Sequence, residues 1–319
     1  MSTALAKALN MHFWRGWVLD LPKWWSTFVT VFLSIFSEAF PFLMLGSALA
    51  AAVHLYVPEK IIVKIIGKKG ISRYIAAGFA GLIFPVCECA IVPIGGSLIR
   101  KKVPPSVVVS FMAAAPVVNP LVALSTLAAF NGELRVVFAR VGLAFVVAVL
   151  TGVFLHSIGI DRVPPIRPGQ EHQHEHDHQH KHGHSSKRGI GLFLSTTAEE
   201  LFSAGRFLVM GTAIAALFQV SVPRSVLAGI APNPFVGTAA MMSGAYLSAL
   251  CSEADAFVAA PFRGCLPIGA LMGFLVYGPM IDIKNTLLLM ATFQRSFVIQ
   301  VIIAITVITF CAVVGFSLI

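Results

Sequence analysis

The chain has little charge. Only 12% of its 319 residues are Asp, Glu, Lys or Arg, whereas 57% are hydrophobic. A soluble globular domain is about one quarter charged, so this composition excludes a soluble protein and indicates an integral membrane protein. The sequence also lacks the alternating pattern of barrel strands, and helices satisfy the backbone hydrogen bonds in lipid. We therefore expect an all-α, polytopic bundle of transmembrane helices.

Motifs for several other functions are also absent. No Gly-x-x-x-x-Gly-Lys-[Ser/Thr] run is present to bind a nucleotide, which disfavours a self-contained pump. No haem, flavin or iron–sulfur pattern occurs, so we expect no tightly bound cofactor and no enzymatic activity. The five cysteines lie in or near apolar segments and do not suggest a disulfide framework. The net charge of +9 comes largely from short loops beside apolar segments, which indicates cytoplasmic loops and not a nucleic-acid surface.

Eight apolar segments follow one another along the chain. They cover residues 24–56, 74–99, 103–130, 134–159, 192–221, 225–260, 265–292 and 296–319. Each is long enough for a membrane helix, although several are interrupted. The N-terminus shows no small-residue cleavage site, and its tryptophans among Lys and Arg suit an interfacial helix. We divide the chain into this helix, a first transmembrane repeat, a linker and a second transmembrane repeat, at residues 1–23, 24–159, 160–191 and 192–319.

Two parts of the chain resemble each other and each contains a Cys/Glu cluster. Residues 84–96 read Phe-Pro-Val-Cys-Glu-Cys-Ala-Ile-Val-Pro-Ile-Gly-Gly, and residues 250–257 read Leu-Cys-Ser-Glu-Ala-Asp-Ala-Phe. Two equally spaced prolines follow each cluster, and Gly46 upstream aligns with Gly211. Duplicated, interrupted apolar segments that hold polar residues indicate a transport site at the interface of two repeats.

Basic residues predict the orientation of these segments. More than half of the 23 Lys and Arg residues lie in three places, at 60–73, 100–102 and 162–188. The positive-inside rule places all three in the cytoplasm, so residues 74–99 form a re-entrant hairpin and the second half is inverted. The equivalent loops of the second half hold only Arg224 and Arg263, as inversion requires. The alternative is eight full spans with parallel repeats.

The first cluster lies between Pro85 and Pro93, where broken helix would leave free carbonyls along a cavity. Cys87 and Cys89 offer soft thiolate ligands for Cu(I), Zn(II) or thiophilic metalloids. Cysteine can also pack as a small hydrophobic residue. Glu88 favours the functional interpretation, because an acidic residue in a membrane segment is costly. We predict that this cluster binds the transported solute.

The second cluster contains Cys251, Glu253 and Asp255, and is more acidic than the first. Two carboxylates at that depth would repel each other if both were ionised. One of them is therefore predicted to carry a proton during transport. The alternative is that Asp255 lies at the membrane surface and pairs with Arg263.

Three further polar residues are candidates for the same site. Asn119 and Asp282 follow prolines within predicted helices, and kinks there would aim both side chains inward. Asp282 could instead pair with Lys284 near the cytoplasmic end. Glu38 in the first span aligns with Ser203 in the second copy, so we treat it only as a candidate gate or proton site.

A histidine-rich loop joins the two halves. Residues 171–184 alternate histidine with polar residues, and the topology places them in the cytoplasm. We predict that the loop captures or senses Zn, Cu or Ni, whereas a low-complexity linker with incidental metal binding is the alternative. The ligands would be His172, His174, His176, His178, His180, His182 and His184.

These motifs resemble a known family. Residues 84–96, residues 250–257 and the run Ala-Pro-Val-Val-Asn-Pro at 115–120 are similar to those of the predicted permeases, a family that includes the organoarsenical efflux permeases and proposed copper/zinc exporters. The resemblance covers nearly all of residues 28–319 and implies that Cys87 and Cys89 contact the substrate. In this segment the arsenical permeases have a sequence similar to Cys-Ser-Cys-Ser, whereas in this chain Glu88 lies between the two cysteines. The acidic second cluster is more similar to an uncharacterised branch.

We therefore expect an inner-membrane permease that exports a small thiophilic solute or soft metal ion, with Zn or Cu as candidate substrates. Cys87, Cys89 and Cys251 would bind it, while the acidic residues supply charge and proton exchange. Two alternatives stay open: a permease for sulfur-containing small molecules, and a membrane redox or metal-delivery assembly factor. Membrane lipid is an expected partner, nucleic acid is not, and a homo-oligomer or a second membrane component also stays open.

Overall fold

The computed structural model describes residues 23–56, 70–83, 88–162, 165–166, 187–221, 234–263 and 266–317. These residues form twelve α-helices and two short 3₁₀ helices, and they contain no β-strand. Five of the helical stretches are long and apolar enough to cross a membrane: Trp24–Ala52, Leu134–Ser157, Gly191–Ser221, Ile268–Thr292 and Arg295–Ser317. The prediction of an all-α, polytopic membrane protein is confirmed. The predicted interfacial helix lies almost wholly outside the described residues, as does the histidine-rich loop.

The described residues of the first half form six α-helices. They are α1 Lys23–Tyr56, α2 Ser72–Ile83, α3 Glu88–Arg100, α4 Pro105–Ala114, α5 Pro120–Ala129 and α6 Leu134–Ser157. Proline occupies the first position of α4 and of α5, where its missing N–H costs nothing and its fixed φ angle suits a helix start.

The part of the second half that the structure describes also forms six α-helices. They are α7 Lys187–Ser221, α8 Pro234–Ser248, α9 Asp255–Ala259, α10 Ile268–Met280, α11 Ile283–Thr292 and α12 Arg295–Ser317. Among the described helices of each half, a long first helix is followed by four shorter ones and a long last helix. This order agrees with the duplication in the sequence, while the inversion of the second half stays a prediction.

Equivalent helices make equivalent contacts through most of the bundle. α4 packs on α2 and α6, and α10 packs in the same way on α8 and α12. α3 contacts α11, as α9 contacts α5, and the two last helices, α6 and α12, contact each other. Every residue of α4 is buried, and so is α10 from Gly269 to Met280, so these two short helices form the centre of the bundle.

The described residues of the segment predicted to be a re-entrant hairpin form two short helices. α2 has 12 residues and α3 has 13, so each is about 18–20 Å long at 1.5 Å per residue. Neither helix as described reaches across a hydrocarbon core of about 30 Å. Residues 84–87 between them, which include Cys87, lie outside the described residues. The re-entrant turn therefore stays a prediction.

Two other predicted helices end where a kink was expected. Asn119 and Asp282 do not lie within continuous helices after their prolines, and that prediction is wrong. Each has extended backbone and is the N-cap of the next helix: Asn119 Oδ1 accepts the Leu121 N–H at 2.9 Å, and Asp282 Oδ1 accepts the Asn285 N–H at 2.5 Å. Asx side chains stabilise a helix start in this way, and a following proline also disfavours helical backbone at Asn119.

Asp161, which lies beyond the span formed by α6, holds the end of that helix against the start of α4. Asp161 accepts hydrogen bonds from Ser106 N at 2.9 Å and Ser106 Oγ at 3.0 Å, and its Oδ2 lies 2.6 Å from His156 Nδ1. Burial alone would raise the pKa of Asp161, but these hydrogen bonds outweigh it and hold the pKa below its ordinary value.

Candidate functional site

A cavity of about 290 Å³ lies where α1, α3, α11 and the segment between α8 and α9 meet. Its charged or thiol-bearing lining residues are Glu38, Glu88, Cys89, Cys251 and Lys284. Residues of both Cys/Glu clusters therefore reach one cavity, although they lie far apart in the sequence.

The first cluster contributes the start of α3. Glu88 and Cys89 are the first two residues of that helix, and each is only 1% exposed. Cys89 is not disulfide-bonded. The start of α3 therefore supplies one carboxylate and one thiol to the cavity wall from adjacent positions.

The second cluster contributes the segment before α9. Cys251 lines the cavity as a free, buried thiol, and its Sγ donates a hydrogen bond to Glu253 Oε2 at 2.7 Å. Ser252 Oγ donates to the same oxygen at 3.2 Å. Glu253 does not line the cavity. It accepts the hydrogen bond of the Cys251 thiol, which does line the cavity.

A buried ammonium group faces the first cluster. Lys284 Nζ lies 3.0 Å from Glu88 Oε1 and 3.7 Å from Asp282 Oδ2, and all three side chains are at most 2% exposed. Lys284 occupies the first turn of α11, where the helix dipole disfavours a cation. The negative charges of Glu88 and Asp282 offset this unfavourable position of the lysine. Asp282 therefore does lie close to Lys284, as the alternative predicted, but Glu88 is the nearer partner.

A second buried ion pair holds the second cluster in place. Arg140 Nη2 lies 2.6 Å from Asp255 Oδ2, and these side chains are 0% and 3% exposed. Arg140 also donates to Thr126 Oγ1 at 2.8 Å and to the Ser252 carbonyl at 3.1 Å. The alternative pairing of Asp255 with Arg263 at the surface is wrong, because Arg263 pairs with Glu133. Asp255 does not line the cavity and ties α9 to α6.

The sequence analysis did not identify Arg140, and it considered Lys284 only as an alternative partner of Asp282. Both are basic residues inside apolar segments, which is a costly placement and hence a usable signal. Of the other candidates, Glu38 does line the cavity, whereas Asn119 is a buried helix cap outside its lining. Within the described residues, no group of three or more His, Cys, Asp or Glu side chains is arranged to hold a metal ion. Cys87 and the loop histidines lie outside the described residues.

Long apolar helices, with buried charges and thiols beside a cavity between them, are typical of a multi-pass membrane transport protein. The chain belongs to the predicted-permease family, whose profile matches residues 24–318. The family inferred from the motifs is therefore confirmed. Its organoarsenical and copper/zinc branches stay predictions for this chain.

Two curated relatives cover almost the whole chain. A Streptococcus mutans protein, whose name proposes a subunit of a two-component membrane permease complex, is 36% identical over 289 residues, 90% of this chain and 94% of its own. The Bacillus subtilis UPF0718 protein YcgR is 38% identical over 281 residues, 88% of this chain and 93% of its own. No solved structure matches the chain.

Proposed function

We propose that the cavity is the solute site of an inner-membrane permease that exports a small thiophilic solute or soft metal ion. One observation carries this proposal: Cys89 of the first cluster and Cys251 of the second line the same cavity. Soft thiol ligands, supplied by two separate segments, can hold a solute between the two halves of a transporter.

The two clusters divide the chemistry between them. Cys89 and Cys251 are the thiol ligands, and Cys87, two positions before Cys89 in the sequence, is proposed as a third. A thiol must lose its proton to bind a soft metal, and Glu253 is already positioned to accept the proton of Cys251. Glu88 balances the charge of the bound solute. Proton exchange at Glu253 would then couple solute binding to proton movement.

The two long first helices break the equivalence of the halves. α1 and α7 pack against each other, and α1 also packs on α3 whereas α7 packs on α11. α1 is equivalent to α7, and α5 is equivalent to α11. In a strictly symmetrical bundle α1 would therefore pack on α5, because α7 packs on α11. The closest approaches use the aligned glycines: a Cβ added at Gly46 would lie 2.5 Å from Ala90 Cα, and one at Gly211 would lie 2.7 Å from Lys284 Cα.

This asymmetry suggests a second arrangement of the same chain. In inverted repeats, exchanging the conformations of the halves gives the state open to the other side. Here the exchange would move α1 onto α5 and α7 onto α9. Leu121, the α5 equivalent of Lys284, is 53% exposed in the present arrangement and would then contact the Gly46 face of α1. We propose that this movement opens the cavity alternately to the two sides.

Cross-linking distinguishes the two arrangements. Ser97 Oγ donates to the Ala50 carbonyl at 3.1 Å, so cysteines at 50 and 97 should link in the present arrangement. Ala50 lies one turn beyond Gly46, so cysteines at 50 and 121 should link only in the opposite arrangement. We expect a short bifunctional thiol reagent to link both pairs in membranes and to stop transport in each case.

The single-cysteine variants at 50, 97 and 121 are the controls, because they carry the same native thiols. Failure of the 50/121 pair to link during transport, when the 50/97 pair links, would contradict the movement.

An elemental survey identifies the solute. Cells with and without the protein are challenged in turn with zinc, copper, inorganic arsenic and methylated arsenic, and their elemental content is measured. We expect expression to lower the content of one element, which names the solute and the outward direction. A rise would mean import, and no change for any element would favour the sulfur-compound permease.

The cellular setting completes the proposal. We place the chain in a bacterial-type plasma membrane, with residues 24–159 and 192–319 as inverted halves and the histidine-rich loop in the cytoplasm. The name of the Streptococcus mutans relative supports the idea of a second membrane component beside this chain. Native mass spectrometry of the purified complex separates that partner from a homo-oligomer.

A further inference from the structure

Among the described residues that line the cavity, Lys284 alone carries a positive charge. Among the described residues, its ammonium group makes a single hydrogen bond, to Glu88 Oε1 at 3.0 Å. An ammonium group has three donors, so most of its capacity is unused. The close approach of Gly211 fixes the backbone of Lys284, and the flexible four-carbon side chain is the part that can move.

Two buried carboxylates compete for this ammonium group. Asp282 Oδ2 lies 3.7 Å from Nζ, beyond good hydrogen-bond distance, and makes no hydrogen bond with the described residues. Glu88 Oε2 is likewise without a hydrogen-bond partner among them. A small movement of Nζ would therefore exchange one carboxylate for the other, and would leave Glu88 facing the cavity unpaired.

Arg140 shows the contrasting case of a fixed buried cation. Its guanidinium donates to Thr126, Ser252 and Asp255, and it is absent from the cavity lining. Lys284 has one hydrogen bond, an alternative acceptor and access to the cavity. A solute in the cavity could therefore displace the Lys284 ammonium group, whereas the Arg140 guanidinium is held in place by its hydrogen bonds.

We propose that Lys284 is an internal counter-cation: a cationic solute takes its place on Glu88 while the ammonium group moves to Asp282. The proposal rests on the transport site assigned above and gives its substrate class. With Glu38 and Glu88 on the wall and Lys284 withdrawn, the cavity suits a soft metal cation. An anionic sulfur compound would meet two carboxylates there, and repulsion would disfavour it.

A double-mutant cycle tests the displacement. Purified full-length protein is titrated with Cd²⁺, and the thiolate-to-cadmium charge-transfer absorption reports binding at cysteine and not at the histidine loop. Lys284→Met removes the competitor and should tighten Cd²⁺ binding at least about tenfold, because the competent state is no longer a minor fraction. Asp282→Asn keeps the helix cap but removes the negative charge to which the Lys284 ammonium group would move, so Cd²⁺ should bind more weakly.

The double variant separates displacement from simple charge effects. With no ammonium group to relocate, loss of the Asp282 charge should no longer matter, so the double variant should bind Cd²⁺ as tightly as Lys284→Met. Independent charge effects would instead add, and would return the affinity towards that of the wild type. Additivity, or unchanged binding by Lys284→Met, would overturn the proposal.

A variant that retains the positive charge covers the case in which Lys284→Met does not fold. Lys284→Arg holds Glu88 with a bidentate fork, so Cd²⁺ binding should weaken at constant charge, and unchanged affinity would count against displacement. Thiosulfate is the anionic probe. If wild-type protein binds thiosulfate through Lys284, the cation class is wrong but the cavity is still a solute site. Absence of any Cd²⁺–thiolate band in the wild type would remove the site itself.

Discussion

Replacing Glu253 with glutamine is expected to reduce export of the identified solute by about 10- to 100-fold, the range for losing a group that supports a ligand. Glu253 Oε2 accepts a hydrogen bond from the Cys251 thiol at 2.7 Å. The neutral amide of glutamine cannot take the thiol proton when a soft solute binds. The size of Gln matches that of Glu, so insertion and yield should not change. Solute efflux from loaded cells is the measurement.

Glu199→Gln is the matched control for this variant. It makes the same chemical change on α7 at an exposed residue that does not line the cavity. Export should stay at the wild-type level in Glu199→Gln and fall in Glu253→Gln. Equal export by the two variants would show that the second cluster does not handle protons during transport.

Replacing Arg140 with methionine is expected to destabilise the protein by about 3–5 kcal/mol, because it leaves a buried carboxylate without its partner. Asp255 is 3% exposed and its other oxygen has no hydrogen bond among the described residues, so water cannot readily compensate. Thermal unfolding of detergent-purified protein measures the loss. Failure to accumulate in the membrane would be the same effect in its extreme form.

An exposed ion pair and a double replacement give the controls for Arg140. Arg263→Gln breaks the pair with Glu133, whose side chains are 51% and 31% exposed, and should cost at most about 1 kcal/mol. Arg140→Met combined with Asp255→Leu removes both buried charges and should recover most of the stability. If Arg140→Met costs no more than Arg263→Gln, the buried pair does not hold the second cluster in place.

The fold class and the two clusters could be predicted from sequence because their signals are local. Low charge and long apolar runs decide the class, and an acidic residue beside cysteine in such a run identifies a site. The partners of these residues could not be predicted in the same way. Lys284 reaches Glu88 across 196 positions, and Arg140 reaches Asp255 across 115. Nothing near either basic residue in the sequence specifies its partner.

The helix breaks show a second limit of local reasoning. A proline kink inside a helix and a proline close to a helix end have similar local sequences around Asn119 and Asp282. Tertiary packing decides between them, because the short helices α4 and α10 must end inside the bundle. The duplication likewise predicts equivalent contacts in the two halves, and the departure of α1 and α7 from that equivalence appears only in the structure.

The most direct test of the account is flux of the identified solute through purified protein in proteoliposomes. The proteins compared are the wild type, Cys89→Ser and Cys251→Ser, with the exposed Cys311→Ser on α12 as the control for a lost thiol. If the two clusters form one solute site, Cys89→Ser and Cys251→Ser should each lose flux while Cys311→Ser keeps it. Full flux in either of the first two would contradict a shared site.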